Sequence, residues 1–324
     1  MDFLGLKSYL TDVRQGRAIA PLRACYVLSG DDAYLIREAV GMFRKLLDAD
    51  YADFNYAEMS VSDGADALVS ALNTLPMFDD RRVVVVPDFG GTFDRAALKK
   101  YLESPNPAAV LVLVCENGTE KLGDNAEAVS CNRLDGAGLA DYVAELLRKP
   151  PARTMDGAAQ RELFLRTMRF MSRIVCEVEK LKAYSDGAIT VDDVRLLVTE
   201  ETEMQMYKLS DAVGAGDTGR ALEVLDRLLK KSEDPVDLVN MLYKYYRRLL
   251  HISLHKDDTD AALAAAFGVN PWAVTLGRRT VGRYTPVRLK KCVDSLHGMQ
   301  YDILTGKRGK DAALHEAVLT LFTL

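Results

Sequence analysis

The feature that most constrains the fold is an alternation of short apolar runs and helical patterns in the first 135 residues. A helical pattern at 3–13 precedes an apolar run at 25–28, which ends at Ser29-Gly30-Asp31-Asp32, and helical spacing returns at 35–47. Further predicted strands lie at 54–59, 83–86, 109–115 and 128–134, with predicted helices at 65–72 and 93–102. Short, continuously apolar strands that alternate with helices are typical of a mostly parallel sheet covered on both faces. The sequence therefore predicts an α/β domain over residues 1–135.

Strand-like runs stop at Gly136, and only helical patterns follow. The pattern at 139–147 must end at the double proline Pro150-Pro151. An interrupted pattern covers 158–184, and Thr190 is the expected N-cap of another at 191–198. The acidic stretch 200–203 separates this small helical domain, 136–203, from an all-α domain at 204–324, with helical patterns at 222–229, 236–250, 261–267, 289–304 and 314–321 and a turn at 268–271.

Composition and charge exclude several classes of protein. Hydrophobic residues make up 48% and charged residues 27% of the 324 residues, which is ordinary for globular chains and argues against disorder. The longest apolar runs, 108–115 and 83–86, are far shorter than the roughly 20 residues that span a bilayer. The first residues lack the pattern of a secretory signal, so we expect a cytoplasmic protein with no membrane segment. The net charge is −5, but residues 204–324 carry 18 Lys and Arg against 14 Asp and Glu, which makes the tail basic.

The sequence does not predict a nucleotide site. Such a site needs glycines for close backbone approach and a Lys for the phosphate charge. The turn at 29–32 offers two carboxylates instead, and no Gly-Lys-Ser/Thr follows it. The segment 214–219 matches the dinucleotide fingerprint, but it follows a helical pattern at 206–213 instead of a strand. We therefore predict no ATP hydrolysis, and at 214–219 a helix end with Asp217 or Thr218 capping the next helix.

Neither a metal site nor a catalytic residue is predicted. His315-Glu316 begins like a zinc-peptidase helix, but Leu319 stands where the second His is needed. His251 and His255 share a helix face without a third ligand nearby, which favours packed or solvated rings. The five cysteines are never closer than sixteen positions and are expected to be reduced thiols.

Basic clusters in the tail allow two interpretations. They lie at Lys244/Arg247/Arg248, Arg278/Arg279/Arg283, Arg288/Lys290/Lys291 and Lys307/Arg308/Lys310. Such clusters attract nucleic-acid phosphates, but they are also found on solvated helix faces that neighbouring acids balance. Lys307, Arg308 and Lys310 are the candidates to face DNA.

The most informative local feature is the segment 74–82, TLPMFDDRR, between a predicted helix and a predicted strand. Pro76 restricts its backbone, and Met77 and Phe78 are large apolar side chains in an otherwise polar loop. One interpretation buries both side chains against their own domain. The other exposes them as an anchor for a partner's pocket, since Met and Phe are typical of interfaces.

Several short strings, in order along nearly the whole chain, resemble the delta subunit of the bacterial DNA polymerase III clamp loader. They are 26–35, 75–78 running into 82–86, 177–181 with Tyr184, 189–194, 209–212, Gly216-Asp217, 221–222, and Asp302 with Gly306-Lys307. Each string is weakly specific, and their order and spacing over three regions carry the resemblance.

The resemblance implies an AAA+-like, RecA-type first domain without a working nucleotide site, a helical lid and a helical collar that joins a hetero-oligomeric loader. It implies a non-catalytic subunit of the DNA polymerase III holoenzyme that acts in DNA replication. Its partners would be the ring-shaped sliding clamp, beta, which it binds and opens, the gamma/tau and delta-prime subunits, and primed DNA. Sister subunits would bind ATP, and this chain would bind no cofactor.

The family's clamp-binding residues carry over onto Leu75, Met77 and Phe78. The family often has Leu where Met77 stands, and the acidic residue that usually follows its Gly-Asp turn is Asp32 here. Two other classes stay open beside this one. They are a nucleotide-dependent enzyme that uses 214–219, and a DNA-binding protein that acts through the basic tail.

Overall fold

The structure is a computed structural model that describes residues 1–91, 93–115, 122–230 and 234–324. These residues form two compact units, 1–144 and 145–324. Within the described ranges, no helix is both long and apolar enough to cross a membrane.

The first unit is built on a five-stranded sheet in which all neighbouring strands are parallel. In chain order the strands are β1 (Cys25–Ser29), β2 (Tyr56–Glu58), β3 (Arg82–Val86), β4 (Ala109–Cys115) and β5 (Ala126–Ser130). They lie side by side in the order β2-β3-β4-β1-β5. The helices are α1 (Phe3–Arg14), α2 (Ala33–Arg44), α3 (Ala52–Asn55), α4 (Ala65–Asn73) and α5 (Arg95–Glu103), with a 3-10 turn at Val61–Asp63. The next helix, α6 (Gly136–Arg148), begins in this unit and ends four residues beyond residue 144. The predicted parallel α/β arrangement is confirmed.

Helices cover both faces of this sheet, because successive strand residues point to opposite sides. In β1, Cys25 and Val27 share a core with apolar residues of α4 and α5. Tyr26 points to the other face, where its ring lies 4.7 Å from that of Phe43 in α2. All five residues of β1 are buried, which explains why all of them except Ser29 are apolar.

Two strand boundaries in this unit differ from the prediction. The strand predicted at 54–59 begins only at Tyr56, because Ala52–Asn55 is a short helix. The Asn55 side chain donates to the Tyr51 carbonyl over 3.2 Å and favours a turn over an extended segment. The strand predicted at 128–134 is Ala126–Ser130, since it pairs with β1 and ends where β1 ends.

The second unit is almost wholly helical. Its helices are α7 (Gly157–Arg166), α8 (Met171–Tyr184), α9 (Val191–Leu197), α10 (Thr202–Ala215), α11 (Thr218–Lys230), α12 (Pro235–Leu254), α13 (Asp260–Phe267), α14 (Pro271–Val281), α15 (Pro286–Leu304) and α16 (Lys310–Thr323). The prediction of no strands after Gly136 is wrong in one detail. β6 (Thr154–Met155) and β7 (Ala188–Ile189) form a parallel pair, and two residues are too few to leave a strand pattern in the sequence.

The helix α14 is missing from the predicted helices, although its start carries clear signals. Asn270 is its N-cap and accepts a hydrogen bond from Trp272 N over 2.9 Å, and Pro271 occupies the first turn. Both residues are also typical of turns, so the sequence predicts a turn at 268–271.

Two helix caps predicted from sequence are confirmed. The Thr190 hydroxyl accepts a hydrogen bond from Asp193 N, and the Asp193 carboxylate accepts one from Thr190 N, which is a reciprocal capping box. Gly216 follows α10 in the left-handed conformation, with φ 75°, and Asp217 accepts a hydrogen bond from Arg220 N at the start of α11. The segment 214–219 thus comprises the end of α10, the two residues 216–217 between the helices, and the start of α11, without the strand that a dinucleotide site requires.

The helices α10, α11, α12, α15 and α16 share one apolar core. The segment between α9 and α10 is held by α7 and α8: the Arg166 guanidinium donates to the Val198 carbonyl, and that of Arg173 donates to the Thr199 carbonyl and pairs with Glu201. Residues 145–324 group as one unit. The separate domains at 1–135, 136–203 and 204–324 stay predictions.

Candidate functional site

The loop that carries Met77 and Phe78 lies at the amino-terminal edge of the sheet. β2 and β3 are parallel neighbours, with Tyr56 opposite Val83. The segments that precede them, 51–55 and 75–81, therefore meet at the same edge. The residues 75–80 are named the tip loop below.

Large apolar side chains are exposed at this edge. The exposed fraction is 75% for Phe78, 74% for Leu75 and 52% for Met77. The exposed fraction is 60% for Phe54 and 36% for Tyr51. These five residues form the apolar patch. The interpretation that buries Met77 and Phe78 against their own domain is therefore wrong.

Tyr51 and Phe54 are members of the patch that sequence reasoning missed. The ring of Tyr51 lies 5.2 Å from that of Phe78, and the Phe54 carbonyl accepts a hydrogen bond from Arg82. The sequence predicts Phe54 in a strand, and the position of Tyr51 beside Phe78 depends on the helix α3, which no pattern in the sequence indicates. The signal that could have found them is two aromatic residues directly before a strand that neighbours the tip loop.

The backbone of the tip loop is fixed by side chains on both sides of Phe78. Asn55 exchanges two hydrogen bonds with the backbone of Met77, each 2.8 Å long. The Asp79 carboxylate accepts hydrogen bonds from Asp48 N over 2.7 Å and from Arg81 N over 3.1 Å. The exposed side chains of Met77 and Phe78 thus lie on a loop whose backbone is fixed by hydrogen bonds.

Phe78 itself has a φ of 54°, in the left-handed region. This conformation is uncommon for a residue with a bulky side chain, and it persists where the surroundings enforce it. In this conformation the Phe78 ring is exposed and lies beside the ring of Tyr51.

The turn between β1 and α2 stands where an α/β nucleotide site would hold phosphates. The Asp32 carboxylate caps α2 and accepts hydrogen bonds from Tyr34 N over 3.0 Å and from Leu35 N over 3.2 Å. Burial raises the pKa of the Asp32 carboxyl, and the two backbone hydrogen bonds oppose this rise. A carboxylate of the chain itself thus occupies donors that a phosphate would use.

The same turn packs closely against the residues that follow β5. A Cβ atom on Gly30, whose φ is 156°, would lie 2.3 Å from the carbonyl carbon of Cys131. The Asp31 carboxylate accepts a hydrogen bond from Arg133 N over 2.8 Å. Glycine at this position therefore allows the turn to pack against the backbone of Cys131.

The candidate DNA-facing residues all contact groups of their own chain. The partners of Lys307, Arg308 and Lys310 are, in turn, the Tyr301 ring, the carboxylates of Asp302 and Glu316, and the carboxylate of Asp234. In another of the basic clusters, Arg248 is buried and paired with Glu203, so this arginine does not lie on a solvated face. Contact between Lys307, Arg308 or Lys310 and DNA stays a prediction.

The histidines and cysteines pack as ordinary side chains. The His251 and His255 rings stack with centroids 3.9 Å apart, and Phe267 lies edge-on to His251. All five cysteines are free thiols, and only Cys176 is exposed. In the described part of the chain, no three His, Cys, Asp or Glu residues come together as metal ligands would.

Comparison with known proteins points to one family. The family model for the DNA polymerase III delta subunit matches residues 26–131, and the model for its C-terminal domain matches residues 203–321. DNA polymerase III subunit delta of Bacillus subtilis is 25% identical over 320 residues, which cover 91% of this chain and 92% of the relative. The Escherichia coli subunit is 24% identical over 264 residues, which cover 76% of this chain and 75% of the relative.

A solved structure agrees with this grouping at the level of the fold. The Bacillus subtilis DNA clamp loader delta protein superposes with a TM-score of 0.80 at 24% identity, covering 98% of this chain and 100% of the other. The two family models describe the same subunit and together match more than two thirds of the residues. The chain belongs to the DNA polymerase III delta-subunit family.

Proposed function

We propose that this chain, a clamp-loader delta subunit, binds a sliding clamp through the apolar patch and opens it during DNA replication. The family supports the identity of the partner. The observation that carries the site is the exposure of Met77 and Phe78 on a loop whose backbone is held from both sides. The role needs no catalytic residue in this chain, since the patch acts by contact alone.

The mechanism that we propose is a shift of the clamp's own equilibrium between closed and open rings. A ligand can shift such an equilibrium only if it binds one form more tightly. Met77 and Phe78 would enter an apolar pocket that fits them better in the open ring. Burial of two such side chains contributes roughly 3 to 6 kcal/mol, at about 1.5 to 3 kcal/mol each.

We also propose the wider assembly that the family implies. The helical tail at 204–324 would join gamma/tau and delta-prime subunits, which would bind ATP in place of this chain, and the complex would act on primed DNA in the cytoplasm. The shared core of the tail helices supports a stable docking domain. The carboxylates at the start of α2 support an AAA+-like unit that takes no nucleotide. Lys307, Arg308 and Lys310 would face the DNA.

The test of the proposed site is the affinity of the chain for the clamp. We expect the double substitution Met77→Ala with Phe78→Ala to weaken binding by about a hundredfold or more in a calorimetric titration. Ile19→Ala is the matched control, because Ile19 is a fully exposed apolar residue of the same unit outside the patch. An unchanged affinity of the double variant, with unfolding by urea also unchanged, would remove these residues from the site.

A further inference from the structure

Asn55 is a fully buried polar residue beneath the tip loop, with an exposed fraction of 0%. Its Oδ1 accepts a hydrogen bond from Met77 N, and its Nδ2 donates to the Met77 carbonyl, both over 2.8 Å. The Nδ2 also donates to the Tyr51 carbonyl over 3.2 Å. One side chain thus satisfies both polar groups of Met77, as a neighbouring strand would.

The orientation of this amide is fixed by what surrounds it. Met77 N–H can only donate, and the carbonyls of Met77 and Tyr51 can only accept. With the amide reversed, its NH2 would face the N–H of Met77 and its oxygen would face two carbonyl oxygens. The position therefore selects asparagine specifically, since aspartate has no donor for the carbonyls and leucine of similar size has neither group.

The hydrogen bonds of Asn55 act next to the residue with the least favourable backbone. Phe78, with φ 54°, lies between Met77, which Asn55 holds, and Asp79, which accepts hydrogen bonds from two backbone N–H groups. Freed from one of these anchors, residue 78 would relax towards negative φ, the ordinary region for a residue with a side chain. Its ring would then leave the position beside Tyr51.

We propose that Asn55 is the positioning residue of the apolar patch, and that it holds the tip loop in the conformation that presents Met77 and Phe78 to the clamp. This inference rests on the clamp-binding role proposed above. A loop that is ordered before binding loses less conformational freedom when it binds. Asn55 therefore raises clamp affinity without contacting the clamp.

The first measurement uses the unmodified chain. Amide hydrogen exchange of Met77 is expected to be slow, although the residue lies in an exposed loop, because its N–H is bonded to a buried side chain. In Asn55→Ala the Met77 amide is expected to exchange at the rate of the free loop. An unprotected Met77 amide in the unmodified chain would overturn the proposal without any variant.

The second measurement is a double-mutant cycle on clamp affinity. Asn55→Ala is expected to weaken binding of the clamp about tenfold, through the two hydrogen bonds lost to Met77. In the background of Met77→Ala with Phe78→Ala, the same substitution is expected to change affinity less than twofold, since no anchor is left to position. A purely structural loss of folding would weaken both backgrounds equally.

The matched control is Asn125→Ala. Asn125 lies directly before β5, the outer strand on the opposite side of the sheet from β2. Its side-chain amide also donates to a backbone carbonyl, that of Leu102, over 2.8 Å. This variant is expected to keep clamp affinity and Met77 protection. Unchanged affinity in Asn55→Ala, or equal loss in both backgrounds of the cycle, would overturn the positioning role. Unchanged affinity in the Met77 and Phe78 double variant would instead refute the proposed site itself.

Discussion

Two loops at opposite edges of one sheet differ in what they leave exposed. The turn at 29–32 follows the carboxyl end of β1, and its Asp31 and Asp32 side chains are bonded to backbone N–H groups of the chain itself. The tip loop precedes the amino end of β3, and Asn55 and Asp79 hold its backbone in the same manner. In the turn the hydrogen bonds engage the Asp31 and Asp32 carboxylates, whereas in the tip loop the side chains of Met77 and Phe78 stay exposed.

The comparison shows that exposed apolar surface in this architecture can form away from the edge where ligands usually bind. Open α/β sheets commonly bind ligands at the carboxyl ends of their strands. Here that edge is closed at β1 by contact between Gly30 and Cys131. The apolar patch lies instead at the amino end of β2 and β3, where the Tyr51 ring before one strand contacts the Phe78 ring in the loop before the next.

The largest effect is expected from a substitution that disrupts the packing of the turn at 29–32 against Cys131. Gly30→Ala would place a Cβ 2.3 Å from the Cys131 carbonyl carbon, at a φ that side chains rarely adopt. We expect a loss of about 2 to 4 kcal/mol in the free energy of unfolding by urea, from overpacking and backbone strain. Gly41→Ala within α2, where nothing lies within 4 Å of the added Cβ, should be neutral or slightly stabilising. Equal stability of Gly30→Ala and the unmodified chain would show that Gly30 does not pack against the Cys131 backbone.

A smaller effect is expected from the cap of α2. Asp32→Ala should lower the free energy of unfolding by about 1 kcal/mol, the usual cost of a lost N-cap. Asp32→Asn keeps a cap oxygen and removes a partly buried charge, so it should stay within about 0.5 kcal/mol of the unmodified chain.

Because the pKa of Asp32 is raised in the folded chain, the stability difference between Asp32→Asn and the unmodified chain should depend on pH. Between the unfolded value near 3.9 and the raised folded value, the folded chain binds more protons than the unfolded chain, so the contribution of Asp32 to stability falls as pH rises. The stability of Asp32→Asn relative to the unmodified chain should therefore increase from pH 4 to pH 7. A relative stability that decreases over this range would mean that the carboxylate is favoured in the fold.

At the tip loop, Tyr51→Ala tests whether clamp binding depends on Tyr51 as well as on Met77 and Phe78. An aromatic pair contributes about 0.5 to 1.5 kcal/mol beyond burial, so clamp affinity should fall about two- to tenfold. Tyr51→Phe keeps the ring and should bind as the unmodified chain does. If both variants bind normally, Tyr51 lies outside the functional patch.

The smallest effect is the one expected from nucleotide. Mg-ATP should leave the thermal midpoint of the chain unchanged, because the donors at the start of α2 already bind Asp32. A ligand present at a hundred times its dissociation constant would stabilise the fold by about 2.7 kcal/mol. A midpoint that rises with ATP concentration would contradict the comparison, since it would reveal a phosphate site at the closed edge or elsewhere.

Much of the architecture can be predicted from local sequence patterns. The helices that the prediction lacks are those whose local sequence is ambiguous or too short. The strands β1, β3 and β4 are apolar except for Ser29 and Arg82 at the ends of β1 and β3. Thr190 marks a helix start and Gly216 a helix end by chemistry that acts within a few residues. The helix α14 was missed because Asn270 and Pro271 suit a turn as well as a helix start. The helix α3 was missed because its four residues carry no period.

The sequence by itself determined the parallel α/β fold, the helical tail and the presence of Met77 and Phe78 in a polar loop, because each follows from side-chain periodicity and composition over neighbouring residues. Only the tertiary structure decided that these side chains are exposed, that Tyr51 and Phe54 join them, and that Asn55 holds Met77. Those facts depend on residues some 22 positions apart that meet because β2 and β3 are parallel neighbours. No local pattern encodes which strands become neighbours, since strand order is set by the packing of the whole sheet.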